Sequence, residues 1–387
     1  MKKVVFIGGG ASTLCSAVLL KKREPSFEVV IVEKDKKLGK KLSMTGGGKC
    51  NIAPLEDNPS VYNALALELI ENTFKNISLS QYLSLLKEIG FDTKTIKDYG
   101  YYPIHESAPQ AVKNLYHQIN KLGIKVIYDE FLDYESKNNK VTIKLKEQNI
   151  EADYLIIATG GLSKEMRNVF ENHNVKVTKT YPGLCPVRLK ENVASLFGCR
   201  FEATITLFYK KDIVKQCYGE VQFKKDGLSG IPVLNMSSLI SRKMIDEDIN
   251  MNDYQISIGL PEQLHVDILG KTVEEAFLML FKEEYANYMI EKHDLNKKEI
   301  INQSLEKIIL NIVQDERFTV ESLYDFKDGQ VTVGGVSLDE INKDFALKIT
   351  TNVYVIGEAL NVDGICGGYN LRFAIASGFI AVHSLVK

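Results

Sequence analysis

Near its start the chain alternates solid apolar runs with polar or glycine-rich breaks. Val4-Val5-Phe6-Ile7 and Val29-Val30-Ile31-Val32 are unbroken apolar tetrads, the pattern of strands buried on both faces of a parallel sheet. Leu14 to Lys22, between them, reads as a helix, so the opening predicts strand, turn, helix, strand. The turn is Gly8-Gly9-Gly10-Ala11-Ser12-Thr13, and the second strand runs into Glu33. In that setting Gly8 permits a tight turn, and Gly10 admits a pyrophosphate to the helix N-terminus, where unspent N–H groups favour negative charge. Glu33 is placed to accept from ribose hydroxyls. Thr13 stands where the usual fingerprint has a third small residue. A carboxylate at position 33 repels a 2′-phosphate, so the expected ligand is an adenosine dinucleotide with a free ribose, FAD or NAD.

Further along, Leu65, Leu69 and Ile70, then Leu79, Leu83 and Leu86, predict two amphipathic helices. Gly100 to Glu106 reads as an irregular aromatic stretch before a helix that begins near Pro109 and carries Ala111, Leu115 and Ile119. Ile124–Tyr128 and Val141–Leu145 read as strands. A buried run, Leu155-Ile156-Ile157-Ala158, ends in Thr159-Gly160-Gly161. From Pro186 the pattern changes to strand-like Ala203–Phe208 and Ile213–Val214, then to a helix-rich stretch from about Val273 to Val313. It returns with the buried run Val353–Ile356, which ends in Gly357-Glu358, and a helix opened by Gly367-Gly368. The expected class is α/β: a discontinuous Rossmann-type domain over 1–185 and 332–387, with a β-rich then helical insertion over 186–331.

Composition narrows the chemistry. A chain of 387 residues suffices for two or more cores. The net charge of -2 gives no whole-chain argument for nucleic acid or membrane. No apolar run approaches the roughly 18 residues of a membrane span, and the start has no signal-peptide pattern, so the expected location is the cytoplasm. Six cysteines lie scattered without a CxxC pair, and the six histidines have no metal spacing. That excludes a disulfide redox centre and a metal site as expectations, leaving redox chemistry to a bound organic cofactor.

The basic run Lys34-Asp35-Lys36-Lys37-Leu38-Gly39-Lys40-Lys41 leads into Leu42-Ser43-Met44-Thr45-Gly46-Gly47-Gly48-Lys49-Cys50-Asn51. Three consecutive glycines stabilise neither helix nor strand and serve backbone shape, such as a loop lying flat on a ring system. Together with the opening Gly8–Ser12 turn and the C-terminal block Gly357-Glu358, Asp363-Gly364 and Gly367-Gly368-Tyr369-Asn370-Leu371, this loop resembles the HI0933-like flavoproteins, a family within the glutathione-reductase-type FAD fold. Tyr181–Pro186, Gly227–Gly230 and Val331–Val336 extend the resemblance over nearly the whole chain. It implies FAD as the cofactor and a small β-barrel in the insertion. Implied cofactor contacts are Gly8, Gly10, Ala11, Ser12, Glu33, Lys34, Lys41, Thr45, Gly46, Gly47, Gly48, Cys50, Asn51, Thr159, Gly160, Gly357, Glu358, Asp363, Gly367, Gly368, Tyr369, Asn370 and Leu371. Tyr101 replaces the family's usual basic residue, and Lys224-Lys225 its Thr-His, which bears on substrate identity.

Only one dinucleotide fingerprint is present, so NADPH or NADH, the expected electron donor, would bind transiently. The resemblance implies hydride transfer through the flavin to an activated C=C or C=N bond. Family substrates range from enone-type steroids and oxidised amino-ketones to uridine in ribosomal RNA. The substrate is thus a small molecule or ribosomal RNA. Cys366, Tyr369, His105 and Cys50 are the candidate proton donors. The alternatives are an oxidase of a small amine or amino-ketone, and a flavin-binding module without turnover.

Overall fold

The two apolar tetrads lie side by side at the centre of a five-stranded sheet in the computed structural model, which describes residues 1–261 and 266–386. The strand order is Val353–Val355, Tyr154–Ile157, Lys3–Ile7, Glu28–Glu33, Lys125–Tyr128, and every neighbouring pair is parallel. Val5 stands opposite both Val30 and Leu155. Val4, Val5, Phe6, Leu155, Ile156 and Ile157 are all wholly buried; a sheet covered on both faces accepts uninterrupted apolar runs.

Two helices, Ala11–Arg23 and Tyr369–Val386, pack against each other. A Cβ on Gly378 would sit 2.2 Å from Ser16 Oγ, so the two backbones meet here at a distance that only glycine allows. The chain divides into two compact units, Met1–Tyr181 with Val331–Lys387, and Pro182–Gln330.

The first unit also holds the amphipathic helices Leu67–Asn76 and Leu79–Glu88, the second begun by a Ser78–Gln81 capping box. Helix Ala108–Lys121 follows, then a three-stranded antiparallel sheet whose Asn138-Asn139 turn has both φ angles positive, as a tight hairpin requires. One expectation is corrected. Gly100–Pro103 is not irregular but a strand paired with Thr93–Ile96, and its other edge meets Ala53.

In the second unit six strands close a barrel: Val187–Leu189, Gly227–Ser229, Asp212–Lys224, Arg200–Tyr209, Tyr254–Gly259 and Glu316–Leu323. The expected β-barrel is therefore present. Its largely aliphatic core includes an aromatic cluster in which Phe201, Phe223, Tyr285 and Phe318 are in contact. Helices Ile231–Asp246, Val273–Leu280, Glu283–Lys292 and Gln303–Gln314 complete this unit. Among the described residues no helix is long and apolar enough to cross a membrane, and no three His, Cys, Asp or Glu side chains gather as metal ligands.

Candidate functional site

The Gly8–Gly10 turn divides its labour by residue. Gly8 has φ +97, and a Cβ there would lie 2.5 Å from Ala158 O, so the turn packs directly on the crossing strand. Gly10 has an ordinary φ of -82, and nothing lies within 4 Å of where its Cβ would be. Helix Ala11–Arg23 starts without a side-chain cap, and the Leu14 N–H bonds back to Gly10 O. A helix leaves its first N–H groups unspent, and here they stand beside an open space, the arrangement a pyrophosphate needs. Thr13 is wholly buried with no hydrogen-bond partner for its hydroxyl.

Next to the turn is a cavity of about 110 Å³ lined by Glu33, Lys34, Asp129, Phe131, Thr159 and Met166 among others. Glu33 is fixed by two backbone donors: Gly9 N–H to Oε2 at 2.6 Å and Asp35 N–H to Oε1 at 2.8 Å. Each carboxylate oxygen keeps a lone pair for a further donor. The Thr159 hydroxyl is buried and unpartnered. Apolar Phe131 and Met166, a fixed acceptor and an unspent hydroxyl fit an adenosine.

A second set of segments converges on Asn51–Ala53. Gly46, Gly47, Gly48 and, without a glycine's freedom, Cys50 all have positive φ. The Cys50 N–H donates to Thr45 O at 3.1 Å, which closes the loop. No atom lies within 4 Å of a Cβ built on Gly47 or Gly48. From far along the chain, Gly368 comes so close that its Cβ would lie 2.7 Å from Asn51 Oδ1 and 2.8 Å from the Ala53 carbonyl carbon. Asn51 donates from Nδ2 to Tyr99 O, while its buried Oδ1 has no partner. Two glycine loops more than 300 residues apart thus form one wall with an orphaned acceptor, and this fits a planar, hydrogen-bonding ring. Asn370 shapes the turn before it, accepting from Gly364 N–H at 2.9 Å and donating back to Gly364 O. Asp363 accepts from Asn63 Nδ2 at 3.0 Å. Leu371 is half-buried in the first turn of the final helix.

A third group meets the Gly8–Gly10 turn. Glu358 accepts from Thr332 N–H at 2.7 Å and from the exposed Lys41 ammonium at 2.8 Å, and it lies 3.7 Å from where a Gly160 Cβ would be. A Cβ on Gly357 would lie 3.1 Å from Ser12 Oγ. Segments 8–13, 159–160 and 357–358 therefore meet.

The proton-donor candidates separate by environment. Burial pushes the Cys50 thiol up to about 11 against a hydrogen bond from Thr45, and the side chain has no exposure. Burial likewise pushes Cys366 up to about 12. Tyr369 is raised by burial and then by the negative charge of Asp57 and Glu56. His105 is exposed, with Nδ1 accepting from Ser107 N–H at 3.2 Å and Nε2 3.5 Å from Asn114 Nδ2, so its ring is engaged at the start of helix Ala108–Lys121.

Sequence reasoning missed the strap over residues 52–63 and its anchors Asp57, Tyr62, Asn63, Tyr82 and Arg372. One signal was available: Arg372 is the single Lys, Arg, Asp or Glu in the otherwise apolar stretch Tyr369–Val386.

Residues 2–384 match the family described as the HI0933-like protein Rossmann domain. The chain is 25% identical over 409 residues to a 3-dehydro-bile acid delta(4,6)-reductase of Clostridium scindens, covering 98% of each chain. It is 26% identical over 412 residues to a ribosomal RNA dihydrouridine synthase of Haemophilus influenzae, covering 99% of this chain and 98% of that one. Among solved structures, a 3-ketosteroid delta1-dehydrogenase from Sterolibacterium denitrificans, in complex with 1,4-androstadiene-3,17-dione, aligns over the whole of both chains. The TM-score is 0.51 at 10% identity, a likeness of fold alone.

Proposed function

The chain belongs to the HI0933-like protein Rossmann domain family of FAD-dependent oxidoreductases, and from that premise we propose that it reduces a C=C bond conjugated to a carbonyl, with NADPH or NADH as the transient electron donor. The observations that carry this reading are the wall in which Asn51 meets Gly368, the open Gly10 turn and the Glu33 cavity. FAD, when bound, supplies two-electron chemistry, and the protein supplies orientation and electrostatics.

The chain's own residues then have distinct tasks. The N-terminus of helix Ala11–Arg23 holds the pyrophosphate, Glu33 the ribose, and Asn51 Oδ1 with the neighbouring backbone the ring edge. The two curated relatives bear names that denote a 3-oxo steroid with unsaturation at positions 4 and 6, and a uracil ring. Both contain an α,β-unsaturated carbonyl, whose reduction needs a proton at carbon. Cys366 and Tyr369 flank Gly367-Gly368 and hold their protons at neutral pH because burial disfavours their anions. They are the proposed donors. His105 and Cys50 are engaged with their own surroundings.

Between a small enone and RNA, charge favours the enone. The unit Pro182–Gln330 carries 18 basic against 24 acidic residues, and an acidic surface repels a polyanion.

The test is an anaerobic titration of the purified yellow protein with NADPH and NADH, following flavin absorbance near roughly 450 nm. Bleaching is expected, followed by reoxidation on adding a 3-oxo-Δ4 steroid in preference to ribosomal RNA from a deletion strain. Faster reoxidation by RNA would reverse the substrate preference. No bleaching by either nucleotide would sink the reductase reading and direct attention to amine donors or a silent flavin. A colourless protein that does not take up FAD would sink the flavin itself.

A further inference from the structure

Arg372 lies within the first turn of the last helix and has no exposure at all. Its guanidinium is bidentate to Asp57, Nε to Oδ1 at 3.0 Å and Nη2 to Oδ2 at 2.9 Å, and Nη2 also donates to Ile77 O at 2.6 Å. The rings of Phe74 and Tyr82 lie 4.4 and 4.5 Å from its Cζ. Nη1 is buried without a hydrogen-bond partner. A buried ion pair of this kind gives little net stability compared with apolar residues of the same size, and an unmet buried donor makes it worse. The arrangement therefore calls for a role other than stability.

Its position supplies one. Asp57 belongs to the strap of residues 52–63 that continues directly from the Asn51–Ala53 wall, and Arg372 follows Gly367-Gly368 by a single turn. Other bonds tie the same two segments. Tyr62 Oη donates to Tyr369 O at 2.7 Å, Asn63 N–H to Asp363 O at 3.0 Å, and Ile365 N–H to Val61 O at 3.3 Å. Tyr82, stacked near the guanidinium, donates from Oη to Ile52 O at 3.0 Å. The fork of an arginine fixes direction as well as distance, which an apolar contact does not. On the reading that the protein binds FAD, we infer that Arg372 and Asp57 are positioning residues: their pair clamps the strap to the last helix and sets the register of the Asn51 and Gly368 loops against the flavin ring.

Asp57→Asn and the apolar pair Asp57→Leu/Arg372→Met separate this role from plain packing. The readouts are denaturant melting of the apoprotein, FAD affinity by fluorescence quenching, and the visible circular dichroism of the bound flavin. Asp57→Asn is expected to weaken FAD binding at least about tenfold and to change the visible dichroism. The apolar pair is expected to regain apoprotein stability but neither the affinity nor the dichroism. Tyr82→Phe, which removes only the hydroxyl, is expected to change the dichroism in the same sense with a smaller loss of affinity. If the apolar pair recovers wild-type affinity and dichroism together with stability, the clamp is overturned and the pair is packing. Unchanged FAD binding in Asp57→Asn and Tyr82→Phe overturns it as well. Failure of the wild type itself to take up FAD is a different outcome and removes the flavin reading beneath it.

Discussion

Gly10→Ala separates cofactor binding from folding, because this turn position has an ordinary backbone and an empty side-chain site. With φ -82 and nothing within 4 Å of the new methyl, alanine meets no steric conflict in the apoprotein. Two small backbone effects oppose each other: alanine is a poorer helix cap than glycine, at a cost of about 0.5–1 kcal/mol, while a less flexible unfolded chain returns about 0.4–1 kcal/mol. Apoprotein stability should thus stay within about 1 kcal/mol of wild type. The methyl would instead occupy the space through which a pyrophosphate reaches the helix N-terminus. Loss of one hydrogen bond to a charged group amounts to about 1.5–3 kcal/mol, or roughly 10- to 150-fold in Kd. At FAD concentrations about 100 times the wild-type Kd, the ligand-induced gain in stability should fall from about 2.7 kcal/mol to about 1.4 kcal/mol or less. Urea melts of apoprotein and holoprotein, with quenching titrations of FAD fluorescence, measure both quantities. An FAD affinity within about threefold of wild type, or an apoprotein weakened by more than about 2 kcal/mol, would refute the assignment of that space to the cofactor.

Gly368→Ala and Gly47→Ala both place alanine at positive φ, for a shared cost of about 1–2 kcal/mol. Gly368→Ala also drives its methyl into Asn51 and the Ala53 backbone, so it should lose about 1–3 kcal/mol more in urea melts, and equal losses would contradict the joined wall. Glu33→Gln should narrow the preference for ADP over adenosine 2′,5′-bisphosphate by roughly tenfold in competition titrations, since the like charge beside the ribose is gone; an unchanged preference would remove Glu33 from the ribose site. Alkaline pH should destabilise the fold. Cys50 and Cys366 titrate higher in the folded chain, so above the unfolded thiol value near pH 9 the folded state holds more protons. Stability is fully present below that value and falls by up to about 1.4 kcal/mol per pH unit per thiol until the folded values near 11 and 12 are passed. Cys50→Ala should flatten this slope in urea melts between about pH 9 and 11, and an unchanged slope would show that the thiol is not the responsible group.

How much the sequence discloses depends on how local each feature is. The parallel sheet is legible because its strands are short solid apolar runs, and the turn at Gly8–Gly10 because strand, glycines, helix and acid follow within 33 residues. Helix Ile231–Asp246 escapes notice: its opening Gly230-Ile231-Pro232 reads as a turn, and Ser237, Ser238 and Ser241 interrupt its apolar face. Those serines are buried and spent on the backbone of residues 182–185. Strands Tyr254–Gly259 and Glu316–Leu323 do alternate, burying Tyr254, Ile256 and Ile258, and Phe318 and Val320, but patterns this short do not disclose the barrel that their pairing closes. The left-handed backbone of Cys50 has no residue signal either, because the glycines beside it draw the eye.

The wall and its clamp lie beyond any reading of local pattern for a further reason. The contacts that build them join residues 300 to 317 positions apart: Asn63 to Asp363, Tyr62 to Tyr369, Arg372 to Asp57 and Lys41 to Glu358. Contacts of such separation carry a loop-closure cost that no local pattern signals. The last 35 residues contribute the edge strand Val353–Val355, the Gly357-Glu358 turn and the Gly367-Gly368 loop together. The N-terminal turn is built by strands that are neighbours in sequence, whereas the Asn51–Gly368 wall takes one side from each half of the chain. A cofactor held as proposed would link the two halves of the chain, and the polar contacts across that seam would couple its binding to the stability of the fold.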